Sequence, residues 1–457
     1  MSATVIWFRD LDKWSSPKKL RLTSSLPDGW TFASIDNVAK QISERVKVEK
    51  DGEYKLIGVR WYGEGTFHRE TVKGSEISAS YLTPVIPSAF IYNRLFAWKQ
   101  SFAIVPAEHS GFYVSSEFPQ FIADTSKIIP EYLYLIFRLE KTIKSVLAAS
   151  VGSAAISRNR FKEDEFLKFE IPLPPLDVQR AIVARWQAAQ ESAREADERA
   201  NKLETDVPRL VLETLGIPFY ENKMLPKVFA CQWSSLENWG VGYTARAFSS
   251  SKDLHESKFP LKQLGRISQV SYGIQKSPAN RPGKNARPYL RVANVQKGQL
   301  NLSEIKYINV TDTEMETLRL QKGDLLVCEG NSADLVGRPA IWNNEVPDCV
   351  HQNHILKARV NPNVANSEFI LEYMQTLPAR TYFRGRAKFT TNLASINSND
   401  LRELPVPLPP LDVQQSIVEK TQASRAEIAR QRERAAQIRR EAEAEVEALI
   451  LGTKKIV

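Results

Sequence analysis

The sequence predicts an α+β protein: two mixed α/β globular segments separated by two long antiparallel helices forming a coiled coil, with pseudo-twofold internal repetition. Three observations predict it. Pro172-Leu-Pro-Pro-Leu-Asp-Val-Gln179 recurs letter for letter as Pro407-Leu-Pro-Pro-Leu-Asp-Val-Gln414. Each copy opens a long, charged stretch that closes on a glycine, Gly216 or Gly452. Ahead of each copy the chain reads as short strands. The expected segments are 1–171 and 217–406, globular, and 172–216 and 407–457, helical.

At each junction a strand is expected first, Phe166–Ile171 in one copy and Leu401–Val406 in the other. Pro172, Pro174 and Pro175 then impose an extended path and forbid a helix until they are passed. Asp177 and Asp412 follow as expected N-caps, because a carboxylate there can accept from an orphan amide of the first turn.

Beyond the caps the period changes. Ile182, Trp186, Ala189, Ala193, Ala196, Ala200, Leu203, Val207 and Leu210 fall at alternating gaps of four and three, a heptad seam. The second copy repeats it 235 residues later with Ile417, Thr421, Ser424, Ile428, Gln431, Ala435, Ile438 and Ala442, a more polar seam. Residues 177–215 would make a helix about 60 Å long, with Pro208 expected to kink or end it in its last turns. A seam so rich in alanine buries little apolar area, so further contacts must support it. Two matched helices in one chain favour intramolecular antiparallel pairing over a parallel homodimer. Ile182, Trp186, Leu203, Ile417, Ile428 and Ile438 are the expected interface residues.

The globular segments share only their lead-ins. Leu11 and Trp14 match Leu236 and Trp239, and Leu26-Pro27 matches Phe259-Pro260. Ser34–Ile42 parallels Gln263–Val270 more loosely. Past that point the cores diverge. A fixed frame carrying two different cores suggests two modules that read different things.

At 457 residues the chain is long enough for two or three domains. With 62 Lys and Arg against 53 Asp and Glu, its net charge of +9 points weakly to a polyanionic partner such as nucleic acid. Cys231, Cys328 and Cys349 form no CxxC and no disulfide framework. No apolar run is long enough to span a bilayer, and the opening residues do not read as a secretory signal. A cytoplasmic location is expected.

The sequence carries no complete catalytic constellation. Arg281-Pro-Gly-Lys-Asn285 lacks the upstream glycine and following Ser or Thr of a phosphate-binding loop. Gly240-Val-Gly242 has no Asp/Asn-Pro-Pro-aromatic sequence to accompany it, which argues against a methyltransferase site on this chain. Asp324 and Glu329 have the spacing of a nuclease carboxylate pair, but Asn331 stands where the usual Lys would be, so the stretch reads as a strand between turn residues. His351 and His354, three apart on an alternating stretch, would face opposite ways. A polar surface strand is expected there, not a metal site.

What the cores do carry is basic, amide and aromatic residues in loops. Arg and Lys suit phosphates and guanine edges, and Asn and Gln suit adenine edges. The DNA-binding candidates in the first core are Arg60, Tyr62, Arg69, Asn93, Arg94, Lys99, Arg158 and Arg160, with Trp61 beside them. Those in the second core are Lys276, Arg281, Lys284, Arg287, Arg291, Asn294, Asn331, Arg338, Arg384, Arg386, Lys388, Thr391 and Asn392. The stretch Arg380–Asn392 has no acidic residue.

These residues meet in a known family. The layout resembles the specificity subunit of type I restriction-modification systems, which carries two target recognition domains, each followed by a helical region. The junction is similar to that family's I-P-L-P-P-L-x-x-Q pattern, at Ile171–Gln179 and Val406–Gln414. The second core matches at Tyr289–Asn294, Lys322–Val327, Gly330–Ser332, Val336–Ile341 and Ile396–Leu401, and the first core resembles a different subfamily at Tyr54–Val59, Gly111–Phe118 and Gly152–Arg158. The resemblance implies two domains set over the halves of a split double-stranded DNA target, with helix length as the ruler for the unread gap. It also implies two methyltransferase subunits, which hold S-adenosylmethionine and methylate adenine, and two motor-nuclease subunits. No cofactor, metal, small-molecule substrate or membrane is then expected of this chain, and no catalysis. The other reading is a coiled-coil scaffold that binds proteins through two divergent modules; a fused restriction enzyme is disfavoured by the missing motifs.

Overall fold

A computed structural model describes residues 22–23, 26–150, 160–219, 254, 256–332, 335–389 and 393–455. The chain forms two compact units, one of residues 1–196 with 433–457, the other of residues 197–432. Each long helix therefore gives part of its length to each unit.

In the first unit a four-stranded sheet runs in the order 39–41, 120–123, 90–92 and 102–104, beside a five-stranded sheet in the order 46–47, 81–84, 113–114, 53–59 and 66–73. Helices α1 (Pro130–Ile136), α2 (Glu140–Ala149) and α3 (Glu163–Leu167) supply the packing partners. The core is aromatic, with Phe90, Tyr92, Phe102, Phe121, Phe137 and Phe166 all buried. Phe121 and Phe166 lie 4.4 Å apart between ring centroids. The strand Glu170–Leu173 pairs antiparallel with Thr31–Ser34 and delivers the chain into α4 (Leu176–Leu215).

In the second unit a four-stranded sheet runs in the order 268–271, 355–360, 325–328 and 339–341. Two three-stranded sheets accompany it, with α5 (Leu264–Ile267), α6 (Asp312–Leu318), α7 (Ser367–Met374), α8 (Leu377–Arg386) and α9 (Ser398–Arg402). Pro405–Pro407 pairs antiparallel with Leu261–Gln263, as its counterpart does in the first unit, and leads into α10 (Leu411–Ile450).

Within each unit the helices pack antiparallel. In the first, Ala193 and Ala196 of α4 meet Ala435 and Ile438 of α10, and Arg185 pairs with Glu445 at 3.1 Å. In the second, Ala200, Leu203 and Val207 meet Ile428. The alanines permit close approach, and the ends of the seam do something else. Ile182 enters the first unit's core with Val446, Leu449 and Ile450, and Trp186 packs at its margin. Ile417 enters the second unit's core with Val211, Leu212 and Leu215. The apolar support that the seam lacks thus comes from the domains. Two of its polar positions are satisfied locally, since Thr421 and Ser424 donate to the Val418 and Lys420 carbonyls of their own helix.

Of the two outcomes expected at Pro208, the structure excludes an end, since Pro208 lies inside α4; buried Val211, Leu212 and Leu215 beyond it anchor the last turn in the core, offsetting a proline penalty of about 3 kcal/mol. Three other expectations need correction. The helices begin at Leu176 and Leu411, so Asp177 and Asp412 sit in the first turn and act on the helix dipole instead of capping. Phe166–Leu167 and Leu401–Arg402 belong to α3 and α9, leaving shorter strands; Asn397 and Asp400 form a capping box that nucleates α9. His351 is buried, not on a polar surface strand, because its strand Val350–His351 pairs in parallel with Tyr289–Leu290.

The duplicated glutamine explains the duplicated sequence. Gln179 and Gln414 are each 0% exposed. Gln179 accepts from the Ile129 amide at 2.9 Å and donates to the Lys127 and Pro174 carbonyls, both at 2.9 Å. Gln414 accepts from the Asn366 amide at 2.7 Å and donates to the Val364 and Pro409 carbonyls at 3.3 and 2.8 Å. Ile129 and Asn366 are the N-caps of α1 and α7. One side chain in each unit thus latches the long helix to the loop that starts a domain helix. The far ends repeat too. Gly216 and Gly452 hold φ of 73° and 72°, and the following amides, Ile217 and Thr453, donate back to Leu212 and Ala448 at 2.8 and 2.9 Å. This left-handed closing turn suits glycine.

Candidate nucleic-acid interface

In the first unit the candidates gather around one turn. Strand Glu53–Val59 ends at Arg60, followed by the turn Trp61–Gly63 and the strand Thr66–Lys73. Arg60 is exposed, its guanidinium 5.2 Å from the Phe67 ring centroid. The Lys99 ammonium, from a neighbouring turn, lies 3.6 Å from the Trp61 centroid and 5.1 Å from that of Trp98. Such contacts hold a cation at an aromatic surface while leaving charge for a phosphate. Tyr62 is 61% exposed.

Other candidates in this unit have structural partners. Arg94 pairs with Glu163. Asn93 accepts from the Leu95 amide at 3.0 Å and shapes its own turn. Arg160 is held by Glu117 through bonds of 3.1 and 3.2 Å, and burdened by that pair its guanidinium pKa moves further up. Arg69, on the strand edge, pairs with Glu70 at 3.1 Å.

In the second unit Lys276, Arg281 and Lys284 lie exposed in one loop between strands 268–271 and 286–290, and Arg287 sits half-buried on the latter. Asn331 and Lys388 share a three-stranded sheet, in which both flanking strands pair with Ala394–Ser395. Phe389, next to Lys388, is exposed. The rest build the domain. Asn294 is 3% exposed and donates to the Asn301 and Glu304 carbonyls at 2.8 and 2.9 Å. Arg338 is buried and donates to the Val292 carbonyl at 3.0 Å. Arg291 pairs with Glu304, and Arg386 with Glu403 at 3.3 Å beside the Tyr382 ring. Arg384 lies half-buried on α8. Arg158, Thr391 and Asn392 lie outside the described residues.

The buried titratable groups serve packing. His351 sits beside Lys357 and Arg359, and burial above all brings its pKa down to about 3, leaving a neutral ring. Burial likewise pushes the Cys349 thiol up to about 12. His354 is exposed and bonds Glu329 at 2.7 Å. Among the described residues no cluster of three or more His, Cys, Asp or Glu is placed to hold a metal, and no helix is long and apolar enough to cross a membrane.

Sequence reasoning missed Arg138, which the geometry places behind the Tyr62 turn, 3.2 Å from the Tyr62 and Gly63 carbonyls. Its partners lie far away in sequence, and no local pattern marks it.

The family model described as "Type I restriction modification DNA specificity domain" matches residues 27–204 and 256–440. A protein named as the MjaX type I restriction enzyme specificity subunit of Methanocaldococcus jannaschii is 27% identical over 131 residues, covering 28% of this chain and 31% of its own. The type I restriction enzyme EcoKI specificity subunit of Escherichia coli is 22% identical over 272 residues, covering 59% of this chain and 53% of its own. The chain thus spans about a third to a half of the length of these relatives. A solved structure titled for complex assembly and conformational transition of the type I R-M system is 18% identical, with a TM-score of 0.58, covering 94% of this chain and 100% of its own. That likeness shows the fold.

Proposed function

We propose, from the premise that this chain belongs to the type I restriction-modification DNA specificity family, that it recognises a bipartite, asymmetric DNA target and brings partner methyltransferase and restriction subunits to it. One observation carries the proposal. The glutamine latch and glycine closure occur twice with matching geometry, while the two units they serve have different sheets. A repeated frame suits repeated partners. Two different cores suit two different half-sites.

The exposed Arg60 and Tyr62 and the half-buried Lys99 in one unit, and the exposed Lys276, Arg281, Lys284 and Lys388 in the other, are the proposed contacts. The cations supply phosphate attraction, and Arg60 and Arg281 can also read guanine edges. Arg94, Arg160, Arg291, Asn294, Arg338 and Arg386 act mainly by holding the domains in shape. Chemistry, S-adenosylmethionine and ATP belong to the partners in this account. The scaffold reading is not favoured, because the family match covers both units.

The test is binding of the full chain, alone and with the methyltransferase encoded beside it, to duplexes carrying that system's methylated motif. Affinity for the motif is expected to exceed that for scrambled DNA by about 10³-fold or more and to fall linearly in a log–log plot against salt. Equal, salt-insensitive binding to both duplexes overturns the proposal.

A further inference from the structure

Five non-glycine residues among those described hold a positive φ, and two of them, Tyr62 (56°) and Gln100 (58°), meet in one place. The Gly63 amide donates to the Gln100 carbonyl at 2.9 Å, and Gln100 Nε2 donates to the Arg138 carbonyl at 3.2 Å. Arg138 closes the knot. Its Nη1 lies 3.2 Å from the Tyr62 carbonyl, 3.2 Å from the Gly63 carbonyl and 3.1 Å from the Tyr134 hydroxyl, which itself donates to Gly63 at 2.6 Å. A Cβ at Gly63 would fall 2.1 Å from Arg138 Nη1, so a side chain there would displace the guanidinium from this knot.

The same guanidinium reaches both long helices. Nη2 bonds Glu443 of α10 at 3.1 Å, and the group lies 5.1 Å from the Trp186 ring centroid on α4. The turn is thus braced against the frame of its own unit. What the brace holds out is aromatic: Tyr62, and Trp61 at 40% exposed with Lys99 on its face. A left-handed tyrosine is unfavourable and persists only where its surroundings over-determine it, an arrangement that clusters at functional sites. A turn whose backbone is already fixed has less freedom to lose when its rings stack, and the flanking Arg60 and Lys99 suit a polyanion.

We infer that the Trp61–Tyr62 turn is a rigid aromatic wedge that stacks on DNA bases in the half-site read by the first unit, with Arg138 as its positioning residue. The inference rests on the DNA-binding reading above and adds a mode of contact to it. Base stacking on an aromatic side chain is sequence-tolerant, so the wedge sets register and deforms the duplex while neighbouring polar groups discriminate.

The probe is a set of duplexes bearing the methylated motif, with 2-aminopurine replacing each base of that half-site in turn, bound by the full chain. Wild type is expected to raise fluorescence at one step, where stacking between bases is broken. Tyr62→Gly is expected to abolish that rise and weaken binding about 5- to 100-fold. Its melting temperature should hold or rise, because glycine takes a positive φ without strain. Tyr62→Phe should keep both signals. Arg138→Gln should lose or displace the fluorescent step, a position-specific readout that a loss of stability alone does not move. If Tyr62→Gly binds within twofold of wild type with the same fluorescence, or if no position responds in wild type, the wedge is refuted while DNA recognition stands. If the wild-type chain does not select the motif duplex, both fail.

Discussion

Replacing Gln179 with alanine removes one buried side chain and its three hydrogen bonds, at 2.9 Å each, to Ile129, Lys127 and Pro174. Each bond contributes about 0.5–1.5 kcal/mol net, and a buried backbone group left without a partner costs about 1–3 kcal/mol. The start of α1 should therefore loosen by about 2–4 kcal/mol. A chain of two units need not unfold in one step, so global denaturation blurs the effect. Amide hydrogen exchange resolves it. Protection at the Ile129 amide should fall about 30- to 1,000-fold, while the Asn366 amide, latched by Gln414, should keep its own. Gln414→Ala should produce the reverse pattern. Gln179→Glu sharpens the test. It keeps an acceptor for Ile129 but turns its other oxygen on two carbonyls, so it should be worse than alanine at neutral pH and recover as the acid is protonated. Unchanged protection in Gln179→Ala, or a glutamate no worse than alanine, would refute the latch.

Other consequences follow from single residues. Lys284→Glu and Lys388→Glu, both exposed, should weaken DNA binding across sequences and lower the salt slope by about 1 each; an unchanged slope puts those loops off the DNA. Buried His351, with its pKa near 3, stays neutral in the fold while the unfolded chain takes up a proton below about 6.5. Stability should therefore fall by about 1.4 kcal/mol per pH unit from pH 6.5 toward 3 through this group, and His351→Phe should flatten that slope in urea titrations at fixed pH. Gly452→Ala should cost more than Gly216→Ala in thermal melts. Both have a left-handed φ, but the new Cβ would meet the rigid Pro27 ring at 2.5 Å in one case and the flexible Lys258 chain at 2.5 Å in the other.

The frame was legible because its signals are local. Prolines forbid a helix up to Pro175, heptad gaps mark the seam, and Gly216 and Gly452 end it. What escaped depends on tertiary packing. Pro208 reads as a breaker until Leu212 and Leu215 are seen buried beyond it. Phe166 reads as a strand residue until its ring is placed among Phe90, Phe121 and Phe137. His351 reads as surface until its strand is paired. The candidate interface was legible as a class of residue only. Lys276, Arg281, Arg94 and Arg338 look alike in sequence, yet the first two are exposed, Arg94 is tied to Glu163 and Arg338 is buried. Arg138 bonds Tyr62, 76 residues away, and Glu443, 305 away, and only the fold brings those three together.

The proposal that two different units read two halves of one DNA target on a common frame makes a direct demand on domain exchange. Exchanging residues 26–170 for the corresponding domain of a related chain, co-expressing the hybrid with its methyltransferase and mapping modified adenines tests it most directly. The expected outcome is a two-part motif in which one half changes, the other is retained and the gap keeps its length. A motif unaltered by the exchange, or altered in both halves at once, would contradict it.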